Sequence, residues 1–177
     1  DVSKSMAYKE SGEISKLEYA QILASGLAYL MLKKQDSVWL DLYSDRIENY
    51  LIPKSNRVYL NTLLRVLANI SPENRTDTST CLNQIAEKIK KRGLVIIISD
   101  LFDSPESILT SLKHFKFKKN EVILFQILDP IELNFAFGKD AIFVDTESEE
   151  ELTTQPHQIQ KAYQETFAEF INKIKKE

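Results

Sequence analysis

One cysteine, two histidines, one tryptophan and four glycines are spread over 177 residues, and each scarcity excludes something. Cys81 alone cannot form an internal disulfide, and with only His114 and His157 beside it no zinc site of sulfur and imidazole ligands is expected. The chain has no phosphate loop of the G-x-x-x-x-G-K-[ST] kind. Its longest apolar runs, such as Leu94 to Ile98, are far too short to cross a bilayer, so no membrane segment is expected in these residues. Basic charge is not in excess: 23 Lys and Arg stand against 26 Asp and Glu, a net charge of -3. The one basic cluster, Lys88, Lys90, Lys91 and Arg92, falls at the end of a predicted helix, where it complements the helix dipole. Nucleic acid is therefore not an expected partner. A single cysteine fits a reducing compartment, and the expected location is the cytoplasm.

What is present is the balance of a globular chain, with 43% hydrophobic and 28% charged residues, in the size range of one domain. Apolar residues recur at helical spacing over 16–34, 57–70, 79–91, 105–115 and 156–175, as in Leu60, Leu63, Leu64 and Leu67. Between them lie strand-like runs: Val38 to Tyr43, Ile47 to Ile52, Leu94 to Ser99, Val122 to Leu128 and Ala141 to Asp145. Leu94 to Ile98 is apolar at every position, as expected of a parallel strand covered on both faces, whereas 38–43 and 47–52 can pair as a hairpin through Ser44 and Asp45. Pro53, Pro72, Gly93, Pro105, Pro130, Gly138 and Pro156 fall between these elements. The alternation predicts an α/β sandwich with a mostly parallel sheet. The acidic stretch Glu147 to Glu151 reads as a solvated turn.

In an open parallel sheet, ligands sit beyond the carboxyl ends of the strands. Asp100 follows Leu94 to Ser99 directly, and Ser104 is better placed than Asp100 to cap the helix that Pro105 opens. At the start of the chain, Asp1-Val2-Ser3-Lys4-Ser5 puts one carboxylate and two hydroxyls at alternate positions, so that three oxygens can converge on one point. Hard cations such as magnesium take oxygen ligands, keep several waters and need only one or two carboxylates. The third polar element is Arg75 to Leu82. Ser79 or Thr78 is expected to cap the following helix, and Thr76, just before the cap, can turn its hydroxyl toward the mouth of the sheet.

These three pieces, in this order, resemble the metal-ion-dependent adhesion site of von Willebrand factor A domains. Asp1, Ser3 and Ser5 match the first motif, Thr76 the later threonine and Asp100 the final aspartate. The resemblance implies that Ser3, Ser5 and Thr76 bind magnesium or manganese directly, while Asp1 and Asp100 act largely through coordinated water. Over nearly its whole length the chain resembles one branch of that superfamily, the bacterial domain-of-unknown-function family 58, commonly encoded beside MoxR-type AAA+ ATPases. The matching stretches are Lys16 to Ala20 with Leu27 to Leu30, Arg92 to Val95 through Ser99 to Phe102, Leu128 to Pro130 with Glu132, and Val144 to Glu147 followed by the helix containing Tyr163. The implied fold is a single Rossmann-like three-layer sandwich over residues 1–177. That family also places an apolar central strand before the first aspartate and a continuation after the last helix, so a domain truncated at both ends is expected.

Two functions compete on these residues. The resemblance implies a metal-dependent protein-interaction module in which a partner's Asp or Glu fills an open coordination position, with Lys4, Met6 and Phe102 around the contact, and the family's gene neighbourhood implies work alongside a MoxR-type ATPase in protein assembly or maturation. The alternative is a magnesium-dependent phosphoryl-transfer hydrolase with Asp1 as nucleophile. Ser3 then occupies the acid–base position, where a serine with no histidine close in sequence is a poor proton carrier. The expectation is a binding module and not an enzyme.

Overall fold

The structure, a computed structural model, describes residues 1–10, 12–72, 77–135, 137, 141–144, 151–154 and 156–175. The chain opens with a 3-10 turn, Lys4–Ala7, followed by α1 (Lys16–Lys33), β1 (Val38–Tyr43), β2 (Ile47–Lys54), α2 (Val58–Ala68), α3 (Thr78–Lys88), β3 (Leu94–Ser99) and α4 (Pro105–Phe117). It closes with β4 (Glu121–Gln126), a short α5 (Pro130–Asn134), β5 (Ala141–Val144), β6 (Glu151–Thr154) and α6 (Pro156–Lys175). Each predicted helix and strand appears. Two elements, α5 and β6, were not expected, and β6 begins at Glu151, the last residue assigned to a solvated turn. The rest of that turn, with Asp145, lies outside the described residues.

Among the described residues the strands form three two-stranded ladders. β1 and β2 make the antiparallel hairpin expected through Ser44 and Asp45, β3 and β4 pair in parallel from Leu94↔Glu121 to Ser99↔Gln126, and β5 pairs antiparallel with β6. Parallel pairing is thus confined to one ladder, short of the mostly parallel sheet expected. The reason lies between β1 and β3, which share no ladder. At their carboxyl ends the main-chain nitrogen of Asp1 donates to the Ile98 carbonyl (3.0 Å) and that of Val2 to the Tyr43 carbonyl (2.8 Å). Successive amides of extended chain point to opposite sides, so these two bonds join the chain's first residues to a strand on either side.

Alternation along the strands divides the core. Leu42 and Ile98 pack with Val2, Met6, Leu17, Ala20, Leu67 and Ile127, while their neighbours Tyr43 and Ile97 pack with Cys81, Leu82, Ile85, Ala86 and Phe115. Helices α1 and α2 therefore cover one face and α3 and α4 the other, a mixed α/β architecture. α1 continues its packing on α2 through Ala28, Leu32, Tyr59 and Leu63. Helix entry follows the expected chemistry at α1, where Ser15 and Glu18 form a reciprocal capping box.

Candidate functional site

The carboxyl ends of β1, β3 and β4 deliver Ser44, Ser99-Asp100 and Ile127-Leu128-Asp129 to one end of the molecule, and the chain's first residues lie among them. Asp1 is fixed through both carboxylate oxygens: one accepts from the Ser3 amide at 3.0 Å, the other from the Ser99 hydroxyl at 2.5 Å. Ser99 in turn accepts from the Leu101 amide at 3.0 Å. The Ser3 hydroxyl lies 3.0 Å from that of Ser5, and Ser3, Ser99 and Asp100 are fully buried. Four of the five expected residues, Asp1, Ser3, Ser5 and Asp100, thus gather where β1 and β3 end. The fifth, Thr76, lies outside the described residues; the residue after it, Asp77, donates its amide to the Ser44 carbonyl at 3.1 Å.

Asp100 brings a partner that the sequence reading did not assign to the site. Lys16, 3% exposed, places its ammonium 2.9 Å from Asp100 and 2.7 Å from Glu132, between the rings of Tyr8 and Phe102 at 5.7 and 5.0 Å from their centroids. Glu132 is tied by its other oxygen, which accepts from the Asp129 amide at 2.8 Å in the capping box of α5. Its carbonyl accepts from the Tyr163 hydroxyl of α6 at 2.8 Å. Burial holds the Glu132 carboxyl above its ordinary range, with the Lys16 ammonium pulling the other way. A signal for Lys16 did exist in the sequence. It directly follows the cap residue Ser15, and a cation in the first turn opposes the helix dipole unless carboxylates hold it.

The backbone beyond Asp100 is strained. Among the described residues four non-glycine residues have positive φ; Gln35 and Lys119 directly follow the C-caps of α1 and α4, and Phe135 is the C-cap of α5, places where left-handed backbone is ordinary. Leu101, with φ 62 and no exposed surface, ends no helix. A bulky residue in that region is held there by its surroundings, and such residues cluster at functional sites.

Two expectations change. Asp77, and neither Thr78 nor Ser79, caps α3, its carboxylate accepting from the Thr80 amide at 3.0 Å; a carboxylate one residue earlier satisfies the same orphan amide. Thr78 is instead fully buried, its hydroxyl facing that of Tyr43. Met6 is also fully buried, in the core beneath α1, and cannot form contact surface. Phe102 is 40% exposed and packs on Phe167 of α6, ring centroids 6.0 Å apart. Ser104 does stand at the N-cap of α4, although its hydroxyl donates to Glu106.

Two ligands at right angles around magnesium, each about 2.1 Å away, stand about 3.0 Å apart, which is the Ser3–Ser5 hydroxyl separation. These oxygens, with Asp1 and Asp100 close by, could hold a hard cation whose remaining ligands are water. Among the described residues no three His, Cys, Asp or Glu side chains converge as a metal cage.

A family model described as "Protein of unknown function DUF58" matches residues 1–172. Among solved structures, the chain resembles an aerotolerance-related membrane protein from Bacteroides fragilis NCTC 9343 carrying multiple mutations to serines. The TM-score is 0.63 at 18% identity, covering 100% of this chain and 96% of that one. It also resembles the conserved hypothetical protein BatB from Bacteroides thetaiotaomicron, with a TM-score of 0.56 at 17% identity over the same shares. Likeness at this identity speaks for the fold alone. No curated protein matches. Among the described residues no helix is long and apolar enough to cross a membrane.

Proposed function

This chain belongs to the DUF58 family, whose description assigns no activity, and we propose from the chemistry of its site that it is a metal-ion-dependent protein-interaction module of von Willebrand factor A-like fold. The observation that carries this reading is the pair of hydroxyls, Ser3 and Ser5, set 3.0 Å apart beside Asp1 and Asp100 at the carboxyl ends of β1 and β3.

Ser3 and Ser5, with Thr76, would hold magnesium or manganese directly, and Asp1 and Asp100 through water. When bound, the cation supplies a Lewis-acidic centre with a coordination position for a partner's carboxylate. This chain's residues prepare that position. Ser99 and the Ser3 amide fix the Asp1 carboxylate, while Lys16 draws on the charge of Asp100. The direct ligands are neutral hydroxyls, so they leave the cation's charge available to an incoming Asp or Glu. Lys4 and Phe102, both exposed, would form part of the contact surface. Catalysis is not part of this reading: the Ser3 hydroxyl is paired with Ser5, and among the described residues no acid–base group is hydrogen-bonded to it for proton transfer.

The partner to test first is a MoxR-type AAA+ ATPase, with a role in assembling or maturing other proteins. The immobilised protein, presented with the purified ATPase, should retain it in magnesium and release it on chelation, and Ser3→Ala should retain far less. Retention indifferent to both chelator and Ser3→Ala would sink the reading.

A further inference from the structure

Helix α1 is apolar on two sides. Its inner side is accounted for: Leu17, Ala20, Ala28 and Leu32 are buried against the sheet and α2. On the outer side Tyr19 is 52% exposed, Ile22 64%, Tyr29 49% and Leu30 50%. At 3.6 residues per turn, Tyr19, Ile22, Gly26, Tyr29, Leu30 and Lys33 fall within an arc of roughly 100°. A surface helix ordinarily turns polar residues to water along that arc, and a contiguous apolar stripe there marks a contact. Gly26 stands at its centre. Apart from its chain neighbours and the helix's own backbone, none of the described residues lies within 4 Å of where its Cβ would be, so no packing contact requires a glycine that costs the helix about 1 kcal/mol relative to alanine.

We propose that α1 pairs antiparallel with α1 of a second copy of this chain, the two-fold axis passing at Gly26. In such an isologous contact, residues equally far before and after the axis meet. Ile22 and Leu30, four residues either side of Gly26, bring apolar side chains together. Tyr19 and Lys33, seven either side, set a ring against an ammonium, and the Lys33 ammonium already lies 5.9 Å from the centroid of Tyr29. Glu18 and Lys34, eight either side, are exposed and opposite in charge. The bare glycine lets the two backbones approach closely where they cross. A lipid surface would use this stripe less well: its basic residues lie at one end only, and Glu18 at the other meets anionic headgroups unfavourably. Gly26 is ten residues from Lys16, about 15 Å along the helix, so the pairing leaves the strand-end site open and does not depend on it.

Sedimentation equilibrium of the whole chain, at concentrations up to about 100 µM, should give twice the 20.4 kDa chain mass. Ile22→Glu should be monomeric with an unchanged melting temperature, and Lys34→Glu, which sets like charges opposite each other, should weaken association about tenfold. Gly26→Cys should give a disulfide-linked dimer under mild oxidation, since Cys81 is buried and the two introduced thiols meet on the axis. If Ile22→Glu fails to fold, Lys34→Glu and Gly26→Cys carry the test. A monomer at every concentration, or a dimer indifferent to these substitutions, overturns the proposal. So does a monomer that sediments with phosphatidylserine vesicles through Ile22, which would assign the stripe to lipid.

Discussion

The two ends of the β3–β4 pair use the same charges in opposite ways. At the amino end Arg92 and Glu121 approach to 3.9 Å with side chains 73% and 78% exposed, a pair that water screens and that contributes about 0–1 kcal/mol. At the carboxyl end Lys16, Asp100 and Glu132 lie 2.9 and 2.7 Å apart, their side chains 2%, 1% and 15% exposed. Removing such groups from water costs several kcal/mol per ion, and well-packed apolar residues of the same volume would be at least as stable. A buried triad at the mouth of a parallel strand pair is therefore explained better by the site than by stability. The same end holds the strained Leu101.

The contrast can be broken by substitution. Lys16→Met leaves two buried carboxylates uncompensated and should cost about 3–5 kcal/mol in denaturant unfolding. Neutralising all three groups together, as Lys16→Met with Asp100→Asn and Glu132→Gln, should recover most of that loss while abolishing cation binding. A triple variant as unstable as the single one would mean that the triad is needed to hold the fold together. At the other end Arg92→Ala should change stability by no more than about 0.5 kcal/mol; a loss several times larger would show that exposure is not what separates the two ends.

Much of this was legible in the sequence, for physical reasons that differ by residue. β1 and β3 have the bounds expected because a continuous apolar run and a flanking turn are local signals. Asp100 stands at the site because residues after a parallel strand lie at one end of its sheet, whereas Asp1 and Ser3 are brought there by the bonds that tie the first residues to Ile98, Tyr43 and Ser99. Lys16 was hidden because its partners are 84 and 116 residues away, although its place against the helix dipole marked it. The burial of Met6 and Thr78 and the left-handed Leu101 depend on packing that periodicity does not encode. β6 was obscured by acidic neighbours, since the run from Glu147 looks solvated until Leu152 and its partner Phe143 are paired across a ladder.

Calorimetric titration of the whole chain with magnesium and then manganese tests most directly the proposed cation site of hydroxyls and carboxylates. Binding near one equivalent per chain is expected, weakened at least about tenfold in Ser3→Ala and in Asp100→Asn, with zinc showing no preference over manganese beyond its ordinary ranking. Folded protein that takes up neither ion, or binding that both substitutions leave unchanged, would contradict it.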